Sequence, residues 1–201
     1  MPGAIVILNG APRAGKSSIV TAVMTGIPGN WINLGVDQMM PRLPDALKPG
    51  IGLRPGGERP DLEADVVRLY RELYDDIGAQ ARAGRDVIVD VGHHDWYSRP
   101  LGILTRSARQ LEGLPVLFVG VRCPIDVIMA RRNADPHGGF YATGEGIPEP
   151  VQRWQDAVHD PGIYDLEVDT SLQSPEACAA VIAGALAGPP AVTAFERLAT
   201  Q

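Results

Sequence analysis

The sequence predicts an α/β fold with an open, mostly parallel five-stranded sheet and helices on both faces. Five short apolar runs, rich in β-branched residues, have the length and composition of buried strands, and segments of helical periodicity separate them. The 23 glycines and 18 prolines fall mostly between these segments, where turns are expected. Such alternation is typical of parallel sheets, whose ligands bind beyond the carboxyl ends of the strands.

The elements of the N-terminal half follow from the spacing of apolar residues. Residues 4–9 form a β-branched run typical of a buried strand, and residues 16–25 have apolar side chains at helical spacing. Residues 31–36 predict a second strand, which Asp37 closes. Apolar residues recur at steps of three and four over 62–83, so this segment is expected to form a long amphipathic helix.

The C-terminal half continues the alternation of strands and helices. The apolar runs at 87–91 and 115–121 predict the third and fourth strands, and residues 166–168 predict a short fifth strand. Ser174 and Pro175 suit the N-cap and the first position of a final helix. The helices predicted in this half cover 99–112, 124–133, 149–158 and 174–187.

Two long stretches interrupt the alternation. Residues 41–60 are rich in proline and glycine, and a glycine-rich stretch follows the helix that ends near residue 133. Long loops in compact domains often cover substrates, so we expect a substrate-cover loop at about 41–60 and a lid at about 131–148. We therefore predict a single domain over 1–188, followed by a C-terminal tail at 189–201.

Composition argues against several classes of partner. The net charge of −6 is unfavourable for broad binding to nucleic acid, which requires a basic face. No apolar run is long enough to predict a membrane span, and the N-terminal residues do not resemble a secretory leader. Cys123 and Cys178 lie far apart in the sequence and form no C-x-x-C motif, so we expect both to be reduced thiols. We expect a cytoplasmic protein, and the sequence carries no signal for its oligomeric state.

The segment from Gly10 to Ser17 fits the phosphate-loop motif G-x-x-x-x-G-K-[ST], between a predicted strand and a predicted helix. In such loops the backbone N–H groups surround phosphates, the lysine reaches the β- and γ-phosphates, and the hydroxyl ligates Mg²⁺. The motif predicts ATP and Mg²⁺ as cofactors, whereas the dinucleotide motif G-x-G-x-x-G is absent at this turn. The predicted nucleotide-binding residues are Gly10, Ala11, Pro12, Arg13, Ala14, Gly15, Lys16, Ser17 and Ser18.

Two aspartates lie at the carboxyl ends of predicted strands and are candidates for the remaining chemistry. Asp90 ends the third strand, where a carboxylate can hold Mg²⁺ together with Ser17; the alternative is a turn cap, and Asp95 is a second candidate. Asp37 is the only carboxylate near the second strand, and we expect it to be the catalytic base that accepts a proton from the acceptor hydroxyl. The alternative is that Asp37 only caps a helix that begins near residue 38.

Basic residues near the lid suggest a further catalytic group. Arg131 and Arg132 end the helix after the fourth strand, where a guanidinium can neutralise a transferring phosphoryl group or interact with the helix dipole. Adjacent helical residues diverge by about 100°, so we expect only one of them to face the nucleotide. His93 and His94 follow the third strand, and we expect them to line the acceptor pocket rather than to bind a metal.

The sequence resembles the chloramphenicol phosphotransferase family of P-loop kinases. The matching segments are IVILNGAPRAGKSSIV, GVD at 35–37, VIVD at 87–90, LFVGVRC at 117–123 and YDLEVDTS at 164–171. The resemblance implies ATP-dependent phosphorylation of a hydroxyl on a small acceptor, as in antibiotic resistance. It implies that Asp37 is the base, that Lys16 and Ser17 hold phosphates and Mg²⁺, and that Arg131 or Arg132 assists transfer.

The segments that would contact the acceptor, GHHDWYSRP at 92–100 and the loop at 133–148, do not match the family pattern. Two alternatives therefore stay open from the sequence. One is another metabolic P-loop kinase that acts on a sugar acid, a nucleoside or a sulfonucleotide. The other is a nucleotide-binding module without transfer activity, although the N-K-x-D motif of GTPase switches is absent.

Overall fold

The computed structural model describes residues 1–134, 146–188 and 190–201, and these residues contain one five-stranded sheet. All strand pairs are parallel, and the strand order is β2-β3-β1-β4-β5. The α/β prediction is confirmed, with the sheet fully parallel. The strands are β1 (Ile5–Asn9), β2 (Trp31–Asn33), β3 (Asp86–Val91), β4 (Val116–Arg122) and β5 (Leu166–Asp169).

Helices cover both faces of the sheet. Central strand β1 alternates its side chains between two cores: Ile5 and Ile7 belong to one, and Val6 and Leu8 to the other. Burial on both faces explains why the strand is an uninterrupted apolar run. The helices are α1 (Lys16–Gly26), α2 (Val36–Met39), α3 (Glu63–Arg82), α4 (Ile103–Gln110), α5 (Ile125–Ala134), α6 (Glu149–Ala157), α7 (Pro175–Ala187) and α8 (Ala194–Ala199).

Two predicted elements are shorter than expected, because polar side chains end or delay them. Strand β2 ends at Asn33, whose side-chain oxygen accepts a hydrogen bond from the Gly35 N–H at 2.8 Å and turns the chain. Helix α4 begins only after Gly102, because the Asp95 carboxylate accepts hydrogen bonds from the N–H groups of Leu101 and Gly102. Asp95, a candidate for Mg²⁺, therefore caps this turn.

The segment at 41–60, called the cover segment below, is more ordered than a plain loop. It contains short 3₁₀ turns at Met40–Arg42 and Asp45–Leu47, and a third turn follows at Pro60–Leu62. Ile51 and Leu53 are buried in it. The predicted lid falls largely on residues 135–145, which lie outside the described residues.

The C-terminal segment, set apart above as a tail, packs into the core. Helix α8 packs against α4 and β4, with Phe195 and Leu198 buried. The Asp165 carboxylate accepts hydrogen bonds from the N–H groups of Phe118 and Ala194, at 2.8 and 2.6 Å, and so ties the start of α8 to β4. Among the described residues, no helix has the length and apolar character needed to cross a membrane.

Candidate active site

The phosphate loop joins the central strand β1 to helix α1. Gly15, with φ of 91°, adopts a left-handed conformation that favours glycine and directly precedes the helix. Gly10 passes so close to β4 that a Cβ there would lie 2.6 Å from the carbonyl oxygen of Val121. The first turn of α1 contains no acidic residue, so its backbone N–H groups and its dipole suit an anion.

Eight of the nine predicted nucleotide-binding residues line one large cleft of about 1510 Å³. The exception is Ala14, which is buried behind the loop, where its N–H donates to the carbonyl of Ala11 and its own carbonyl accepts the Thr170 hydroxyl. Ala14 therefore shapes the loop from behind and does not form part of the cleft surface.

Lys16 folds back over its own loop. Its Nζ donates hydrogen bonds to the carbonyl oxygens of Gly10 and Ala11, at 2.8 and 2.9 Å, and the side chain is only partly exposed. Burial lowers the pKa of Lys16 to about 8, although the charges of Asp90 and Asp37 oppose this shift. The loop carbonyls thus hold the ammonium group against its own loop rather than in open solvent.

Ser17 and Asp90 meet at the base of the cleft. The Ser17 hydroxyl donates to Asp90 Oδ2 at 3.1 Å, and Asp90 is only 8% exposed. Burial raises the pKa of Asp90, while the nearby Lys16 charge and the Ser17 hydrogen bond oppose the shift. Gly35 leaves room for this carboxylate, since a Cβ at Gly35 would lie 1.8 Å from Asp90 Oδ1. Two adjacent hard oxygen donors fit Mg²⁺, which keeps several waters and substrate phosphates as its other ligands.

Asp37 lies in the first turn of α2 and is exposed on the cleft wall. The N-cap of α2 is Gly35, so the alternative that Asp37 caps a helix near residue 38 is wrong. Lys16 and Asp90 line the same cleft as Asp37, and the Asp37 charge acts to raise the pKa of both. The arrangement is suited to proton acceptance beside bound phosphates.

Arg131 supports the phosphate loop from the side of β5. Its guanidinium donates to Thr170 Oγ1 at 3.0 Å and to the Thr170 carbonyl at 2.7 Å, and it also reaches the Arg13 carbonyl at 3.3 Å. The Thr170 hydroxyl in turn donates to the Ala14 carbonyl at 2.7 Å. Arg132 also lines the cleft and is only 8% exposed.

Asn9 connects the strand ends beneath the loop. Its amide nitrogen donates to the Val158 carbonyl and to the Tyr164 hydroxyl, at 2.8 and 2.9 Å, and its oxygen accepts the His93 N–H at 2.7 Å. These contacts bring β1, the segment after β3 and the segment after α6 together. Because Gly10 follows Asn9 directly, the network sets the point at which the phosphate loop leaves the sheet.

The two histidines lie behind the cleft wall, so the expectation that they line the acceptor pocket is wrong. His93 is buried between Tyr70 and Tyr74, and burial lowers its pKa to about 3. His94 is buried next to Trp154, and Trp154 is the residue that lines the cleft. Within the described ranges, no group of three or more His, Cys, Asp or Glu side chains is placed to hold a metal ion.

Sequence reasoning missed three residues of the site. Gly35 and Thr170 occur in the segments GVD and YDLEVDTS that carry the resemblance, but nothing local in the sequence indicates that one makes room for Asp90 and the other holds the loop. Trp154 looks like an ordinary apolar position of an amphipathic helix. Its place in the cleft depends on how α6 packs against Gly92.

The fold and the loop geometry together are those of a P-loop kinase, a class of nucleotide-dependent phosphotransferases. The family model described as chloramphenicol phosphotransferase-like protein matches residues 3–187, so the chain belongs to that family. The suspected resemblance is thus confirmed, and so is the prediction that the protein is a kinase. No curated protein sequence matches the chain.

Several solved structures share the fold. A sugar kinase from Janibacter superposes with a TM-score of 0.62 at 18% identity and covers 100% of both chains. The tunicamycin resistance protein of Deinococcus radiodurans has a TM-score of 0.57 at 20% identity over 94% of this chain and 99% of that one. The APS kinase of Mycobacterium tuberculosis has a TM-score of 0.53 at 20% identity over 93% and 99%. At these identities the likeness establishes the fold alone.

Proposed function

We propose that the protein transfers the γ-phosphoryl group of ATP, with Mg²⁺, to a hydroxyl of a small acceptor, in the manner of chloramphenicol phosphotransferase. One observation carries the proposal: a single cleft contains the phosphate loop, the Ser17–Asp90 oxygen pair and the exposed carboxylate of Asp37. A binding module would need no base opposite its phosphate loop. We place the reaction in the cytoplasm, where ATP is available and where the free thiols of Cys123 and Cys178 stay reduced.

Each group has one task in the proposed reaction. Asp37 accepts the proton of the acceptor hydroxyl while the hydroxyl oxygen bonds to the γ-phosphorus and the bond to the β–γ bridging oxygen breaks, which releases ADP. Lys16 compensates phosphate charge, and Arg132 neutralises the transferring group. Ser17 and Asp90 would hold Mg²⁺, which supplies charge neutralisation at the phosphates. Arg131 positions the phosphate loop through Thr170.

The charge of the cover segment favours an uncharged acceptor over a sugar acid or a sulfonucleotide. Three basic side chains of this segment line the cleft, but each has an acidic partner, so the wall has little unbalanced positive charge. The pairs are Lys48–Asp45 at 3.0 Å, Arg54–Glu58 at 2.5 Å and Arg59–Asp61 at 2.7 Å. Apolar side chains also line the cleft: Val36, Met40, Pro49, Ile51, Leu53 and Trp154.

The test is incubation with Mg-ATP and a panel of hydroxylated compounds, followed by mass spectrometry of the acceptors. The panel contains chloramphenicol, a nucleoside, a neutral sugar and a sugar acid, and we expect one phosphoryl group to be added to an uncharged acceptor. Phosphorylation of the sugar acid alone would overturn the acceptor class. ATP binding without any product from a wider panel would favour a binding module.

Asp37→Asn separates catalysis from binding, because asparagine keeps the shape of aspartate but does not take the proton. We expect kcat to fall by about 10²–10⁴-fold with little change in Mg-ATP affinity. Asp76→Asn, at an exposed position on α3, is the matched control and should keep full activity. A fall in kcat of less than about tenfold would contradict the base assignment. Loss of nucleotide affinity as well would place Asp37 in the Mg²⁺ shell.

A further inference from the structure

His94 uses both of its ring nitrogens although it does not reach the cleft. It is 5% exposed, its Nε2 lies 2.9 Å from the Leu53 carbonyl oxygen, and its Nδ1 lies 3.2 Å from the Trp96 backbone nitrogen. The Trp96 N–H is a donor, so Nδ1 must be the acceptor. The ring is therefore the neutral tautomer with its proton on Nε2, which donates to Leu53.

The His94 ring also contacts Trp154, which lines the cleft. Trp154 of α6 meets His94 edge-on, with ring centroids 5.0 Å apart and an interplanar angle of 88°. Trp154 also lies against the backbone at Gly92, where a Cβ would be 2.9 Å from its ring. Leu53 and Trp154 both line the cleft, so one buried side chain contacts the cover segment and α6 together.

The strand order identifies the half of the cleft to which this wall belongs. Asp37 follows β2, and His94 follows β3, on one side of the central strand β1. Thr170 and Pro175, at the opposite end of the cleft, follow β5 on the other side of β1. Trp154 belongs to α6, which follows β4, but its ring lies against Gly92 and His94 after β3, and Leu53 contacts the same segment. The wall of Leu53 and Trp154 is therefore on the side of Asp37, where the proposed acceptor would bind.

Near this wall the cover segment packs closely against the chain after β3, since a Cβ at Gly57 would lie 2.8 Å from the Ser98 backbone nitrogen. Gly56 and Gly57 have φ angles of 121° and 66°, and Gly52 has open space around it. The described contacts that join the segment to the chain after β3 include the His94–Leu53 bond and a bond from the Gly56 N–H to the Trp96 carbonyl at 2.8 Å. Because His94 also accepts from the Trp96 N–H, both contacts depend on its position.

We propose that His94 is a positioning residue that holds the wall of Leu53 and Trp154 in the shape that binds the acceptor. This inference rests on the proposed kinase function. His94 acts on the affinity for the acceptor, and it leaves nucleotide affinity and proton transfer to other residues. The segment GHHDWYSRP, which does not match the family pattern, thereby gains a role in substrate selection.

Two substitutions of His94 test the contributions of its two ring nitrogens separately. In His94→Gln the amide nitrogen replaces Nε2 and keeps the donor to Leu53, whereas in His94→Asn the amide reaches only the Nδ1 position and loses that donor. We expect His94→Asn to raise the acceptor KM about three- to tenfold, as loss of one hydrogen bond would, with the ATP KM unchanged. His94→Gln should restore most of the acceptor KM. Tyr74→Phe, which removes the hydrogen bond to His93 on the core side, is the control and should change neither KM.

A second measurement needs no acceptor and so separates this inference from the proposed function. Hydrogen exchange of the amides at 51–57 should be faster in His94→Asn than in the wild type, and close to the wild type in His94→Gln. Unchanged exchange there would overturn the inference even if the kinase is active. Equal losses of acceptor and nucleotide affinity would also overturn it, since they indicate a general loss of stability. If the wild-type enzyme phosphorylates no acceptor, the proposed function is refuted. Hydrogen exchange would still decide whether His94 holds the cover segment.

NMR of the wild-type protein covers the case in which His94→Asn fails to fold. The ring nitrogens of His94 should show the tautomer that is protonated on Nε2. Protonation on Nδ1 instead would mean that Leu53 is not held, and the inference would be wrong.

Discussion

Gly35→Ala is the most direct test of how the Mg²⁺ site is built. Gly35 has φ of −56° and ψ of 161°, which alanine adopts without strain, so the effect of the substitution comes from the added methyl group. That methyl group would lie 1.8 Å from Asp90 Oδ1, and one of the two groups has to move by more than about 1 Å to reach the 3.0–3.4 Å of a tolerable contact. Asp90 stands on the buried strand β3, so we expect its carboxylate to rotate away from Ser17.

The size of the effect follows from this displacement. Misplacement of a catalytic group by about 1 Å can lower the rate about 10²-fold, and overpacking costs about 1–3 kcal/mol of unfolding free energy. The assays are kcat/KM, the Mg-ATP Kd and thermal unfolding. Gly184→Ala, in α7 with open space around it, is the control, and it should keep full activity with equal or higher stability. Activity of Gly35→Ala within about threefold of wild type would refute the argument that Asp90 needs this space.

Three further predictions concern the nucleotide half of the cleft. Burial lowers the pKa of Lys16 to about 8, so the free enzyme loses this positive charge as the pH rises. The affinity for Mg-ATP should therefore fall up to about tenfold per pH unit above pH 8. In Lys16→Met, which has no charge to lose, the affinity should not change with pH over this range. The same lowered pKa means that the unfolded chain binds the extra proton between about pH 8 and 10.5, so unfolding free energy measured without nucleotide should rise over this range. Arg131→Lys should lower the melting temperature and raise the ATP KM more than the acceptor KM, because lysine does not hold both oxygens of Thr170. A loss of kcat at unchanged stability would instead indicate that Arg131 is a catalytic arginine.

The sequence alone determined the features that depend on neighbours along the chain. The phosphate loop, its strand and its helix follow from a short run of residue types, because the loop uses its own backbone to bind phosphate. Buried parallel strands are apolar throughout, which makes them visible as runs. Asp90 and Asp37 could be selected because they lie at the carboxyl ends of strands, at the edge of the sheet where ligands bind.

Only the tertiary structure decided which distant residues meet. The strand order puts β1 between β3 and β4, and this brings Ser17 to 3.1 Å from Asp90 across 73 positions of the chain. No periodicity encodes the approach of Gly35 to Asp90, and none reveals that His94 lies behind the wall while Trp154 forms it. These contacts depend on how elements pack face to face, and packing is a property of the whole chain rather than of any segment.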